Sequence, residues 1–238
     1  MPAPASKKVA MVSGGGRGLG AVITRTLLDA GWAVSLGVRS PKQADAFDAP
    51  PDRLAAFRFD AMVPETATSW VAATVAHFGQ LDALINNAGI LRQVDFERGT
   101  EDDLDALWAV NVKAPFRLIR EALPHLRATG HGRIVNMAST DAKRYRAGVS
   151  VGYTMSKHAL LALTQAARFA GYDDGVRVTA ICPGATDTDM IANIPGVTPK
   201  AERLPPETVA AMVAFVLTLP NQASVPEMIA NTRLETLI

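Results

Sequence analysis

Short, nearly continuous apolar runs bounded by Gly, Asn or Pro alternate along this chain with longer amphipathic stretches. Such alternation marks strand–helix–strand units that feed a parallel sheet. The apolar runs predict strands at Val9–Val12, Ala33–Val38, Leu54–Phe59, Ala83–Ile85, Arg133–Met137 and Arg177–Ile181, with a last short one at Met228–Ala230. Strands this evenly apolar are covered by helices on both faces. The amphipathic stretches predict helices at Leu19–Ala30, Glu65–Phe78, Asp102–Arg127, Tyr153–Ala170 and Pro206–Leu219. Thr100, followed by Glu101, Asp102 and Asp103, supplies a helix start, since a hydroxyl cap and early acids complement the positive end. Pro206 with Glu207 suits another first turn. Pro124 is expected to end or kink its helix, because it lacks an amide proton. No repeat or linker interrupts the series. The expected architecture is one doubly wound α/β domain over residues 1–238, with a central parallel sheet and a short flexible N-terminus at 1–7.

Length and composition narrow the function classes. A chain of 238 residues suits one large α/β domain. The net charge of +1 gives no electrostatic reason to expect nucleic acid or an anionic membrane as partner. Cys182 is the only cysteine, which excludes an internal disulfide and a cysteine-based metal site. His77, His125, His131 and His158 have no acid or cysteine at ligand spacing, so no metal is expected. The first apolar run is too short for a signal-peptide core, and no stretch approaches the ~20 apolar residues of a membrane span. The expected location is the cytoplasm.

The first strand runs into Ser13-Gly14-Gly15-Gly16-Arg17-Gly18-Leu19-Gly20, after which an apolar helix begins. Glycines there permit a tight turn and let backbone N–H groups approach a pyrophosphate at a helix N-terminus. The spacing Gly14-x-x-x-Gly18-x-Gly20 is looser than G-x-G-x-x-G, but its place between a first strand and a first helix favours phosphate binding. The second strand ends in Arg39-Ser40, where a bare adenosine ribose is usually met by a carboxylate. Arg39, Ser40 and Arg17 suit a 2′-phosphate instead, which needs charge-assisted donors. This favours NADP(H), with NAD(H) as the alternative.

Tyr153 and Lys157 stand at i, i+4 in a predicted helix, one turn apart on one face. Free tyrosine titrates near ~10, and an adjacent cation favours the phenolate. The pair therefore offers a proton donor or acceptor usable near neutral pH. Upstream lie Asn86-Asn87-Ala88-Gly89, Asn111 in a helical stretch, and Ser139 at a strand end. With these motifs in order from Val9 to about Leu219, the chain resembles the short-chain dehydrogenase/reductase family, of the one-domain type with a Y-x-x-x-K active site.

The resemblance implies a Rossmann-type fold and hydride transfer between a nicotinamide cofactor and a carbonyl or secondary alcohol. Gly14, Gly18 and Gly20 match the family's T-G-x-x-x-G-x-G, with Ser13 in place of the threonine. Cofactor contacts are implied along the turn, at Ser13, Gly14, Gly16, Arg17, Gly18, Leu19 and Gly20, and at Arg39 and Ser40. Asp60 matches the acid that meets the adenine, and Asn87, Ala88 and Gly89 belong to the N-N-A-G stretch. Pro183, Gly184 and Thr188 match the segment that holds the nicotinamide carboxamide. The family's catalytic positions fall on Asn111, Ser139, Tyr153 and Lys157. Tyr153 would be the general acid or base, and Ser139 would hold the substrate oxygen. Lys157 would bind the nicotinamide ribose and depress the Tyr153 pKa, while Asn111 would anchor a water leading to Lys157. A homodimer or homotetramer, packed through the helices near Asp102–Arg127 and Tyr153–Ala170, is also implied.

In the family the pocket is closed by the segment after the P-G motif, here about residues 189–204. Pro195, Gly196 and Pro199 within it leave little room for a long helical lid, so a more open pocket is expected. Arg92, Lys143, Arg144 and Arg146 could converge on an anionic small-molecule substrate or serve as solubilising surface charge. The C-terminal stretch from Ala223 could run over the pocket mouth or over a neighbour. Two rival readings stay open: an NAD(H)-dependent alcohol dehydrogenase of the same fold, and a non-catalytic NADP(H)-binding regulator.

Overall fold

In a computed structural model, residues 7–146, 148–192, 194 and 197–234 are described. Seven parallel strands form one sheet: β1 (Val9–Ser13), β2 (Ala33–Val38), β3 (Leu54–Arg58), β4 (Ala83–Asn86), β5 (Arg133–Met137), β6 (Arg177–Pro183) and β7 (Glu227–Ala230). Their order is β3-β2-β1-β4-β5-β6-β7. The direction of winding reverses between β1 and β4. In such a sheet the crevice beyond the strand C-termini at this reversal is where ligands bind.

Neighbouring residues on one strand point to opposite faces, which is why both faces need helices. Ala10 and Val12 of β1, with Ala83 and Ile85 of β4, pack toward Ile23, Leu27, Val209 and Val213. These belong to α1 (Gly18–Asp29) and α6 (Pro206–Thr218). Met11, Leu84 and Ile134 face the other way, against Trp70, Leu118, Leu126 and Ala167. Those side chains come from α2 (Glu65–Phe78), α4 (Ala114–Ala128) and α5 (Val151–Gly171). Each fully buried side chain of this size contributes roughly 1.5–3 kcal/mol, so both layers are anchored by the period-2 pattern of the strands.

The single long helix expected at Asp102–Arg127 is corrected. It divides into α3 (Glu101–Trp108), a π-helical segment at Ala109–Lys113, and α4. Pro124 does not end it, because α4 continues to Ala128. Ala122 and Leu126, buried on either side of the proline, hold the chain on its helical course. Thr100 caps α3 as expected, its hydroxyl accepting from the Asp103 N–H at 3.1 Å. Helix α5 begins two residues earlier than expected, because the Ser150 hydroxyl accepts from the Tyr153 N–H at 3.1 Å.

The terminus expected to be flexible at 1–7 lies outside the described residues apart from Lys7, which pairs with Asp52 at 2.5 Å. Asn193, Pro195 and Gly196 of the expected closing segment also lie outside them. Among the described residues of 189–204 there is a 3-10 turn at Lys200–Glu202. Among the described residues no helix is long and apolar enough to cross a membrane.

Candidate active site

A cleft of about 930 Å³ opens beyond the C-terminal ends of the strands, at the reversal of the sheet. Its first wall is the turn between β1 and α1. Gly14 lies at φ 65° and Gly18 at φ 51°, backbone that glycine reaches without strain. A Cβ on Gly20 would fall 2.2 Å from the Gly14 carbonyl oxygen, so only glycine lets α1 start this close to the turn. Helix α1 has no side-chain cap and no acid in its first turn. Its leading N–H groups are left for an anion, which is the donor set that a pyrophosphate requires. Gly14, Arg17, Gly18, Leu19 and Gly20 all line the cleft, and the residues present fit a dinucleotide.

Ser13 does not line it. Its hydroxyl sits beneath, accepting from the Asn87 and Ala88 N–H groups at 3.0 Å each. The Asn87 amide donates back to the Ser13 carbonyl at 2.9 Å, which ties the loop after β4 to the turn after β1. Gly16 does not line the cleft either, and a Cβ there would meet the Gln43 side chain at 2.5 Å. Arg39 lines the far end with Asp60, whereas exposed Ser40 lies outside. Gln43, which the sequence did not single out, takes its place on the wall.

At the other end stand Ser139, Tyr153 and Lys157, all buried and all lining the cleft. Ser139 follows β5, and its hydroxyl accepts from the Asp141 N–H at 3.0 Å, which fixes its rotamer. Lys157 donates from Nζ to the Met137 carbonyl at 2.7 Å and lies 5.6 Å from the centroid of the Tyr153 ring. Burial lowers the Lys157 pKa to about 8, with the nearby Cys182 acting in the opposite sense. Burial also pushes the Tyr153 phenol well above its usual value; the Asp141 charge adds to this and the Ser139 hydroxyl counters it. The protein alone therefore raises this pKa, where the sequence suggested that Lys157 would depress it. The loss of water around the phenolate, with the Asp141 charge, outweighs the Ser139 hydrogen bond.

Asn111 lies in the π-helical segment, buried behind the cleft rather than in its wall. Its amide oxygen accepts from the Ile90 N–H at 2.9 Å, and its nitrogen donates to the Ile90 carbonyl and to Ser156, each at 3.0 Å. Asn111 thus clamps the loop after Gly89 onto α5, one residue from Lys157. A Cβ on Gly89 would stand 3.4 Å from the Asn111 oxygen and 3.7 Å from Lys157 Nζ. Ser156 carried no motif signal, since its part is visible only once the two helices meet.

Asn87, Ala88, Gly89, Pro183, Gly184 and Thr188 line the cleft. The four basic residues divide. Lys143 turns to Glu227 at 2.6 Å and Arg144 to Asp141 at 2.5 Å, and neither faces the cleft; Arg92 and Arg146 do. The stretch after β7 brings Asn231, Thr232 and Arg233 to the mouth, where Arg233 donates to the Thr198 hydroxyl at 2.6 Å. Among the described residues no cluster of His, Cys, Asp and Glu could hold a metal.

Sheet order and cleft define a Rossmann-type α/β protein with its site at the topological reversal. Residues 8–196 match the family model for short chain dehydrogenase, and the chain belongs to that family. It is 38% identical over 220 residues to an agropine synthesis reductase of Rhizobium rhizogenes, covering 92% of this chain and 51% of that protein. The chain thus spans about half the length of that relative. It is 31% identical over 219 residues to an acetoacetyl-CoA reductase of Rhizobium meliloti, covering 88% of this chain and 90% of the other. An alcohol dehydrogenase of Thermococcus sibiricus, solved with 5-hydroxy-NADP, superposes with a TM-score of 0.84 at 27% identity, over 94% of this chain and 96% of that one.

Proposed function

We propose that this protein interconverts a carbonyl compound and its secondary alcohol using NADP(H), with Tyr153 as general acid in reduction and general base in oxidation. One observation carries the reading: a buried cleft-lining phenol with Ser139 beside it and the Lys157 ammonium 5.6 Å from its ring centroid. When bound, the nicotinamide supplies or accepts the hydride at the substrate carbon. The protein's share is to place the oxygen and manage the proton. Ser139 hydrogen-bonds the substrate oxygen and stabilises the charge that develops on it. Tyr153 delivers its proton to the same oxygen. Because burial keeps the phenol protonated in the free protein, little phenolate is present to accept a proton, so oxidation gains most from the Lys157 ammonium.

The turn at Gly14–Gly20 and the start of α1 would hold the pyrophosphate, with Asp60 at the adenine and Lys157 at the nicotinamide ribose. Pro183, Gly184 and Thr188 would hold the carboxamide. NADP(H) is favoured because Arg17 and Arg39 line the adenosine end, and among the described residues lining the cleft after β2 there is no acid before Asp60. The NADP-type ligand of the Thermococcus sibiricus structure and the two reductase relatives support the reading. The same reading puts the enzyme in the cytoplasm, which fractionation of cells followed by immunodetection would check.

The direct experiment is a panel of ketones and secondary alcohols assayed with both cofactors. Turnover is expected with NADPH in preference to NADH. Tyr153→Phe is expected to lose about 10²- to 10⁴-fold in kcat while still binding NADP⁺ by calorimetry. A Tyr153→Phe enzyme that keeps most of its turnover would remove Tyr153 from the proton-transfer role.

A further inference from the structure

Arg146 differs from every other basic residue around the cleft. It belongs to the loop that joins Ser139 to Tyr153 and lines the same cavity as both. Its Nε is buried and has no hydrogen-bond partner. Its Nη2 stands 3.6 Å from Asp141 Oδ1, within ion-pair range but too far for a hydrogen bond. Arg144 holds that carboxylate at 2.5 Å and is itself buried, so the Asp141 charge is already balanced. The Arg146 guanidinium therefore lines the cavity with its nearby carboxylate, Asp141, already held by Arg144. A carboxylate is the acceptor that a guanidinium favours, through charge-assisted N–H···O bonds.

The surrounding charge agrees. Arg92 and Arg233 also line this cavity, Arg92 within 3.5 Å of Asp103. Of the acids that line it, Asp60 follows β3 at the adenosine end, Asp141 is balanced by Arg144, and Asp189 is exposed. An anion arriving at Arg146 would meet no unbalanced carboxylate on its own loop.

We propose that Arg146 anchors a carboxylate of the substrate, so that the compound reduced is a small oxo acid. The inference rests on the carbonyl-reducing reading above and adds the substrate class to it. Because Ser139 and Tyr153 bracket the Arg146 loop, a carboxylate on the guanidinium and a carbonyl oxygen on the hydroxyls are held within one cavity. The distance between the two groups of the substrate is then a property that the cleft selects.

The test compares 2-oxopentanoate, 4-oxopentanoate and 5-oxohexanoate with their methyl esters. Two readouts are used: kcat/KM with NADPH, and calorimetric binding to the protein saturated with NADP⁺. At least one acid is expected to exceed its ester by about ten- to a hundredfold, the range of a charge-assisted hydrogen-bonded pair. Arg146→Ala should bring the acid-to-ester ratio close to one, and Arg146→Lys should leave it intermediate. Lys143→Ala, which alters a cation outside the cleft, should leave the ratio as in the wild type. Should Arg146→Ala not fold, Arg146→Gln takes its place. An acid preference in binding without turnover would uphold the anchor and overturn the reductase reading. Turnover of acids and esters alike, or a preference that survives Arg146→Ala, would overturn the anchor and leave the reductase reading standing.

Discussion

At the scale of single residues, the two ends of the cleft make separate predictions. Arg39 is exposed at the end of β2, and a 2′-phosphate would gain charge-assisted bonds there that a ribose hydroxyl would not. Arg39→Asp is expected to raise the KM for NADPH by about ten- to a hundredfold and to change that for NADH far less; equal effects in steady-state assays would point away from NADP(H). Lys157 makes a prediction about stability. Its ordinary pKa of 10.5 is lowered to about 8 by burial, so between these values the unfolded chain holds a proton that the folded one has released. Folding stability from this group therefore rises with pH across that window, and below it the cost of burying an ammonium is carried in full. Urea titrations from pH 7 to 10 should show the wild type gaining on Lys157→Met by on the order of 1–3 kcal/mol; parallel curves would mean that Lys157 does not titrate there. The Tyr153–Lys157 spacing was legible in the sequence because it is local to one helix. What each side chain does beyond that was not. Ser13, Gly16, Ser40 and Asn111 do not line the cleft; for Ser13 and Asn111 the orientation is set by Asn87 and Ile90, which are distant in sequence. Lys143 and Arg144 read as free cations until Glu227 and Asp141 are brought beside them.

Among the elements, the start of α1 carries the most consequence. With Gly20 against the Gly14 carbonyl, the helix N-terminus is fixed relative to the turn, and its uncapped N–H groups are held in one orientation. Gly20→Ala must force the helix and the turn apart, since a Cβ 2.2 Å from a backbone oxygen cannot be absorbed by a side-chain shift. Overpacking of this kind costs about 1–3 kcal/mol, and the displaced donors should weaken cofactor binding as well. A lowered urea midpoint together with weaker NADP⁺ binding by calorimetry is the expected result; an unchanged protein would mean that the turn is not rigid. The sequence foretold this element because glycine spacing is a local statement about the backbone. It failed at Asp102–Arg127, where a single amphipathic stretch hides a π-helical turn. The change in winding rotates Asn111 toward Ile90 and Ser156, and periodicity alone does not reveal which register those contacts select.

At the scale of the whole molecule, the parallel sheet was legible in the alternating pattern but its strand order was not, and the outer surface of α5 raises a question of assembly. Met155, Ala162, Ala166 and Phe169 are all exposed on this helix, at spacings of seven, eleven and fourteen residues from Met155. That spacing places them along one face. Phe169 is 86% exposed and Met155 47%, at opposite ends of a stretch whose centre is small alanines. Large apolar groups flanking small ones suit the close approach of another helix, and the cost of leaving them in water grows with their area. We propose that this face packs against α5 of a second copy, giving a dimer or a tetramer. Sedimentation equilibrium should then return a multiple of the 25.2 kDa chain mass. Ala162→Glu places a charge at the centre of the stripe, where a monomer would tolerate it within about 0.5 kcal/mol but a helix–helix contact would not. The variant is expected to shift the protein toward the monomer while its urea midpoint at low concentration barely moves. A wild type that sediments at 25.2 kDa, or an Ala162→Glu protein that keeps the wild-type mass, would mean that α5 is an ordinary solvent face.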